Sequence, residues 1–317
     1  MPQPEVKTQC HPLIEEFVGY LRYERNYSAL TQQAYRDALS QYEVFVTASE
    51  GIFDPIQIEL ADVRAWMADM GRRELKVTSV KRNLSAVRSF CRYLRQRGLM
   101  QRNPLLQLKM PKVPKMLPVW VTREQMNAVL DDPAWDDDDF TDVRDRFILD
   151  LLYQTGLRRA EALGLKDADV STERRELHVL GKGNKERLVP YGPELAAMLT
   201  HYLEVRNRDV PERLNAHLLV DDKGHPLTPA RIYNIVRARM QVVPKLAKRS
   251  PHVLRHSFAT EMLREGADLM AVKEILGHAS LDSTEVYTHL SPQELLNNYN
   301  QAHPRAATSI TPKKKGD

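Results

Sequence analysis

Residues 250–263, "SPHVLRHSFATEML", place three chemically active side chains, His252, Arg255 and His256, within five positions. The stretch reads as a helix. Ser250 stands at an N-cap position, Pro251 suits the first helical residue, and Leu254, Phe258 and Met262 recur every four residues as an apolar stripe. His252, Arg255 and His256 fall on a different face. Histidines at i and i+4 have the spacing of a zinc hydrolase, but that pattern needs Glu directly after the first His, and position 253 is Val. A fixed cation at Arg255 also opposes a dication. The fork of donors on an arginine suits phosphate or carboxylate instead, so the segment predicts an anion site and no metal.

Working outward, "DLMAVKEILGH" is a second helix, stopped at Gly277. "DSTEVYTHL" and "SPQELLNNYNQAH" open on the capping boxes Asp282/Glu285 and Ser291/Glu294. Upstream, "TPARIYNIVRARM" is helical, whereas "RELHVLGKGNKERLVPY" changes to a period of two. Leu177 and Val179 alternate with polar residues and "GKGN" supplies a turn, which predicts a hairpin with Lys182 at its tip. It lacks the GxxxxGK[ST] pattern of a phosphate-cradling loop. Before it, "VRDRFILDLLYQTG" is an apolar core helix ending at Gly156, and "TREQMNAVLDD" starts on a Thr122/Gln125 capping box. The acidic "DDPAWDDDDF" is expected to face solvent.

The first hundred residues are predicted to be helical throughout. "HPLIEEFVGYLRYER" puts Leu13, Phe17 and Leu21 on one face, and the next helix opens on Ser28. "TSVKRNLSAVRSFCRYLRQRG" buries Val80, Leu84, Val87, Cys91 and Leu94 and ends at Gly98. Lys81, Arg82, Arg88, Arg92 and Arg95 lie off that stripe; a basic outer face is commonly just a solvated one, but the near lack of balancing acids adds weight to phosphate contact. Pro104, Pro111, Pro114 and Pro118 then forbid a continuous helix and predict an extended linker. At 317 residues and a net charge of +4, the chain is long enough for two cores. Two cysteines are too few for a disulfide framework, and no apolar run approaches a membrane span, so a cytoplasmic protein is expected.

The set "TGLRRAEALGL", "GKGNKERLVP", "HVLRHSFAT" and "LGHASLDSTEVYTH", in this order and spacing, resembles the tyrosine recombinase (phage integrase) family, and within it the bacterial Xer recombinases. "SAVRSFCRYL" and "YTHLSPQELLNNYNQAHPRA" extend the likeness over nearly the whole chain. The departures are Arg159, Ala160 and Glu261, none at a reactive position. The resemblance implies a mainly α fold with a small β-hairpin, arranged as a two-domain C-shaped DNA clamp. Its parts would be a helical SAM-like core-binding domain over 1–108, a linker over 109–119, a catalytic domain with a tail helix over 120–303, and a basic, disordered tail over 304–317. It implies that Arg158 and Arg255 clamp the scissile phosphate, that Lys182 and His252 handle protons, that His278 is a sixth active-site residue and that Tyr287 is the nucleophile. Glu161 would support Arg158, and Lys81, Arg82, Arg88 and Arg92 would meet DNA. It further implies cleavage through a 3′-phosphotyrosine and a Holliday junction with no cofactor. The expected partners are two double-stranded DNA recombination sites, a homo- or heterotetramer with a second Xer-type recombinase, an FtsK-type DNA translocase and no membrane. Chromosome dimer resolution is the expected purpose. The alternative is the integrase of a phage, plasmid or other mobile element, against which stands the absence of room for an arm-binding domain before residue 11.

Overall fold

Prolines and capping side chains set where the helices begin. The computed structural model describes residues 10–112, 119–181, 185–213, 215–244, 246–277, 292–303 and 305. The chain divides into two units, Met1–Met116 and Leu117–Asp317. In the first, α1 (Pro12–Tyr23) starts on Pro12 with His11 Nδ1 accepting from Leu13 N at 3.2 Å. Ser28 caps α2 (Ala29–Glu50), which ends on Gly51 at φ +82°. α3 (Leu60–Arg72) and α4 (Val77–Gln96) follow.

These helices close around Phe17, Leu39, Tyr42, Trp66, Leu84, Phe90 and Leu94, with Phe17 5.4 Å from the Phe90 ring and 5.3 Å from Tyr93. The five residues expected to form the buried stripe of α4 are all buried. In α1 the stripe runs through Ile14, Phe17 and Leu21. Leu13 lies at its edge, only partly buried, because the face toward the core follows i, i+3, i+7 from Ile14.

The basic face of α4 is not uniform. Lys81, Arg82 and Arg92 are exposed. Arg88 turns inward, its Nη2 donating to Leu105 O at 3.0 Å and Leu108 O at 2.9 Å. It thereby holds the 3-10 turn Pro104–Gln107, which Asn103 caps at 3.0 Å, a structural role in the fold that the sequence reading did not foresee.

The second unit is built on α6 (Phe140–Thr155), a helix buried on nearly every side. α5 (Arg123–Leu130) precedes it, opened by the Thr122/Gln125 capping box. α7 (Arg159–Gly164) leads into a three-stranded antiparallel sheet, β1 (Val170–Ser171), β2 (Glu176–Leu180) and β3 (Glu186–Pro190), in the order β1-β2-β3. β2 and β3 are the expected hairpin, with Leu177 opposite Val189 and Val179 opposite Arg187. β1 is an addition too short to carry a sequence pattern. α8 (Pro193–Asp209), α9 (Pro229–Arg239) and α10 (Pro251–Arg264) pack on α6, α11 (Leu269–Leu276) packs on β3 and α10, and α12 (Pro292–Ala302) packs on its own unit against α10, β3 and α11. The acidic loop is exposed as expected, pinned by Trp135 Nε1 donating to Val129 O at 2.7 Å and by Arg146 on Asp137 at 2.9 Å.

The seat of α12 is polar underneath. Tyr299 donates its hydroxyl to Gln154 Oε1 at 3.3 Å, and Gln154 Nε2 donates to both carboxylate oxygens of Asp150 at 2.9 Å. His303 stacks on Tyr299 with centroids 4.8 Å apart and on Phe258 at 5.6 Å. Arg305 reaches Glu194 at 2.6 Å and Asp150 at 3.7 Å. Burial pushes the His303 imidazole down to about 3 and the Asp150 carboxyl up to about 6.

The two shifts act oppositely on stability in acid. The unfolded chain protonates His303 below about pH 6.5 while the folded chain does not, so stability falls with pH by at most about 1.4 kcal/mol per unit. Asp150 takes its proton earlier in the folded state and partly offsets that loss. His303→Phe keeps the stack and removes the titration. Denaturant unfolding should therefore show the variant gaining about 2 to 3 kcal/mol on wild type between about pH 6.5 and 4.5; an unchanged difference would refute the assignment.

Candidate active site

A helix leaves its last carbonyls without intrahelical donors, and the aligned peptide dipoles make that end partly negative. Two such ends meet in the second unit. α6 stops at Gly156 and α11 at Gly277, both in the left-handed region at φ +60° and φ +63°. At Gly156 a side chain is excluded twice, since a Cβ would lie 2.5 Å from Phe258 Cδ1 and 2.8 Å from Leu276 Cδ2.

Three arginines satisfy these ends. Arg255 donates from Nη1 to Gly156 O at 2.6 Å and from Nη2 to Leu276 O at 2.7 Å. Arg158 donates to Leu276 O at 3.3 Å and to Gly277 O at 3.1 Å. Arg187, on β3, donates from Nε to Ile275 O at 2.7 Å.

Glu161 compensates them. Its carboxylate accepts from the backbone N–H of Arg158 at 2.8 Å and from Arg158 Nη1 at 2.7 Å. It takes both arms of Arg187, at 3.1 and 2.8 Å, and lies 3.9 Å from Arg255 Nη1. Burial would raise its pKa, but the hydrogen bonds from Arg187 and Arg158 prevail and hold the carboxyl below its usual value. Burial, then the charge of Arg158, brings Arg255 down to about 10, where it remains cationic at neutral pH. Of the three, Arg158 is the most open, with 35% of its side chain accessible against 10% for each of the others.

His252 sits one turn before Arg255 on the exposed side of α10, and His256 is exposed as well. Partial burial, followed by the charges of Lys248, Arg159, Arg255 and Arg158, lowers the His252 pKa below that of a free histidine. Ser250 occupies the N-cap position by backbone, but its hydroxyl is buried with no hydrogen-bond partner among the described residues. Lys182, His278 and Tyr287, with the Asp282/Glu285 box, lie outside the described residues. His278 follows Gly277 directly in the chain, and Lys182 follows Gly181.

Residues 120–294 match the sequence profile described as the Phage integrase family, and residues 14–98 match the Phage integrase, N-terminal SAM-like domain. The chain belongs to the phage integrase family. Relatives named tyrosine recombinase XerC include one from Chlorobaculum tepidum, 36% identical over 92% of this chain and 94% of that protein. Another, from Listeria innocua, is 36% identical over 94% of this chain and all of its own length. As in those members, the family's strand-transferring chemistry applies, and the chain is a site-specific tyrosine recombinase. The fold is shared with the XerH recombinase solved on palindromic difH substrate (TM-score 0.65, 23% identity, 90% of this chain and 84% of that one). It is also shared with the Tn1549 transposon integrase in complex with circular intermediate DNA (TM-score 0.66, 20% identity, 90% and 94%).

Arg187 escaped the sequence reading, although a signal was present. Opposed residues of an antiparallel pair share a face, so the register that buries Leu177, Val179 and Val189 brings Arg187 to the same inward face. A lone cation on the apolar side of a hairpin needs a buried partner, here Glu161. Glu161→Gln would leave the inward guanidiniums undercompensated. Urea unfolding should show a loss of about 3 kcal/mol, and a change under 1 kcal/mol would mean the helix-end carbonyls suffice alone.

Proposed function

We propose that the chain cleaves and rejoins double-stranded DNA through a 3′-phosphotyrosine at Tyr287, with Arg158 and Arg255 binding the scissile phosphate. The observation that carries this reading is the convergence of Arg158, Arg255 and Arg187 on the end of α11, immediately before the segment holding His278 and Tyr287. In-line attack by a phenolate builds negative charge on the non-bridging oxygens, and guanidiniums already fixed by carbonyls meet that charge without rearranging.

The proton balance follows from the same residues. Tyr287 bonds to phosphorus as the bond to the 5′-oxygen breaks. Its phenol, with an ordinary pKa of about 10, must lose a proton, and His252, kept neutral by its lowered pKa, can accept it. Lys182 donates a proton to the departing 5′-oxygen. His278 completes the site. The phosphotyrosine conserves the energy of the phosphodiester, so a 5′-hydroxyl can reverse the step without a nucleotide cofactor.

The division expected from sequence belongs to this reading: a core-binding domain over 1–108, a linker over 109–119, a catalytic domain over 120–303 and a basic tail beyond. The exposed Lys81, Arg82 and Arg92 of α4 serve as phosphate contacts. The full-length likeness to proteins named XerC favours chromosome dimer resolution in the cytoplasm over a mobile-element integrase. A four-protomer complex on two DNA sites, with an FtsK-type translocase as activator, belongs to the same proposal. No helix among the described residues is long and apolar enough to cross a membrane.

Two measurements test the chemistry. On a nicked suicide duplex, selected by binding from random DNA, wild type should form a covalent protein–DNA adduct in EDTA, and Tyr287→Phe should form none. An adduct with Tyr287→Phe would dismiss the nucleophile. The cleavage rate should hold on acidification to below about pH 6.5, the ordinary histidine value, because the lowered pKa of His252 keeps it deprotonated there. His252→Gln should lower the rate by about 10² to 10⁴. A wild-type rate already halved above pH 7 would contradict the role of His252.

A further inference from the structure

The guanidinium of Arg187 lies between two backbones. A Cβ on Gly277 would meet Arg187 Cδ, Cζ and Nε, each at 3.2 Å. A Cβ on Gly181 would lie 3.4 Å from Arg187 Nη1 and 3.8 Å from Glu161 Oε1. Gly181 also closes the hairpin neck, its N–H donating to Lys185 O at 2.8 Å. Each glycine is the residue directly before a reactive one, Lys182 in one case and His278 in the other.

Resting on the function proposed above, we infer that Arg187 is a positioning residue that fixes the points from which the chain departs toward Lys182 and His278. One planar fork does this in three directions at once. Nε holds the end of α11 through Ile275 O, the two Nη atoms hold Glu161 and through it Arg158, and Nη1 stands against the hairpin neck, 3.4 Å from where a Cβ on Gly181 would lie. Lysine keeps the charge but lacks the fork, and so cannot hold the helix end and both carboxylate oxygens together. The consequence falls on proton donation to the leaving group, since Lys182 stands one residue from the neck and a misplacement of about 1 Å costs about 10²-fold.

The test uses the full-length protein and the selected duplex in two forms, one with the ordinary 5′-oxygen at the scissile phosphate and one with sulfur in that bridging position. A thiolate departs without a proton, so the sulfur substrate does not need Lys182 to be aligned. For Arg187→Lys at saturating DNA, adduct formation on the oxygen substrate should fall by about 100-fold with DNA affinity within about threefold, and the deficit should shrink at least about tenfold on sulfur. Equal deficits on both substrates, or a deficit that follows lost DNA binding or a lost thermal transition, would overturn the inference.

Gly181→Ala guards against a variant that fails to fold. It leaves the fork and Glu161 in place and adds a methyl 3.3 Å from Lys185 O, which shifts the neck slightly. The same sulfur-relieved pattern is expected, with a smaller deficit of about tenfold, and an unchanged rate on oxygen would overturn the inference. Tyr287→Phe in the same assay separates the two levels. Adducts from that variant sink the function proposed above. A dead Tyr287→Phe beside Arg187 and Gly181 variants that behave as wild type sinks only the role of Arg187.

Discussion

Unpaired carbonyls at two helix ends organise the second unit. α6 and α11 both finish on left-handed glycines, and the peptide oxygens left over at Gly156, Ile275, Leu276 and Gly277 all accept from arginine. Charge and geometry both favour that choice. The partial negative charge at a helix C-terminus attracts cations, and only a guanidinium offers enough directed donors to serve two carbonyls, or a carbonyl and a carboxylate, at one time. Once the helices end there, the cations have nowhere else to be.

The cluster is therefore assembled before any substrate arrives. Three like charges at close quarters repel one another, and Glu161 together with the helix ends makes their company tolerable. Among the described residues Arg255 makes one hydrogen bond from each Nη, out of the five N–H donors a guanidinium carries, so these contacts orient the group without exhausting it. A site stabilised in this way does not reorganise as negative charge develops in front of it.

Much of this was legible in the sequence, and the misses have physical reasons. Period and caps located the helices, including the Thr122/Gln125 box and the glycine stops at 156 and 277. The α1 stripe slipped by one residue because Leu13 and Ile14 are both apolar, and only packing chooses between them. Arg88 looked identical to Lys81, Arg82 and Arg92 on a helical wheel, and only the three-dimensional path of residues 103–108 turned it inward. The four motifs that carry the resemblance to the family could be recognised because each is a short run of sequence in a fixed order. The carboxylate–arginine geometry among Arg158, Glu161, Arg187 and Arg255 joins segments far apart in the chain, which no local pattern encodes.

The polar seat beneath α12 bears on the order in which the protein is made. Asp150 lies at the centre of α6 with no exposure, yet Arg305, one of the groups that stabilise its charge, belongs to the other end of the unit. Arg305 also binds Asn127, 178 positions earlier, and Tyr299 reaches back 145 positions to Gln154. A chain emerging from the ribosome would carry α6 for many seconds before that end appears. Until then Asp150 lacks Arg305, and the unit acquires the charge balance seen around α6 only when residues 292–305 close over it.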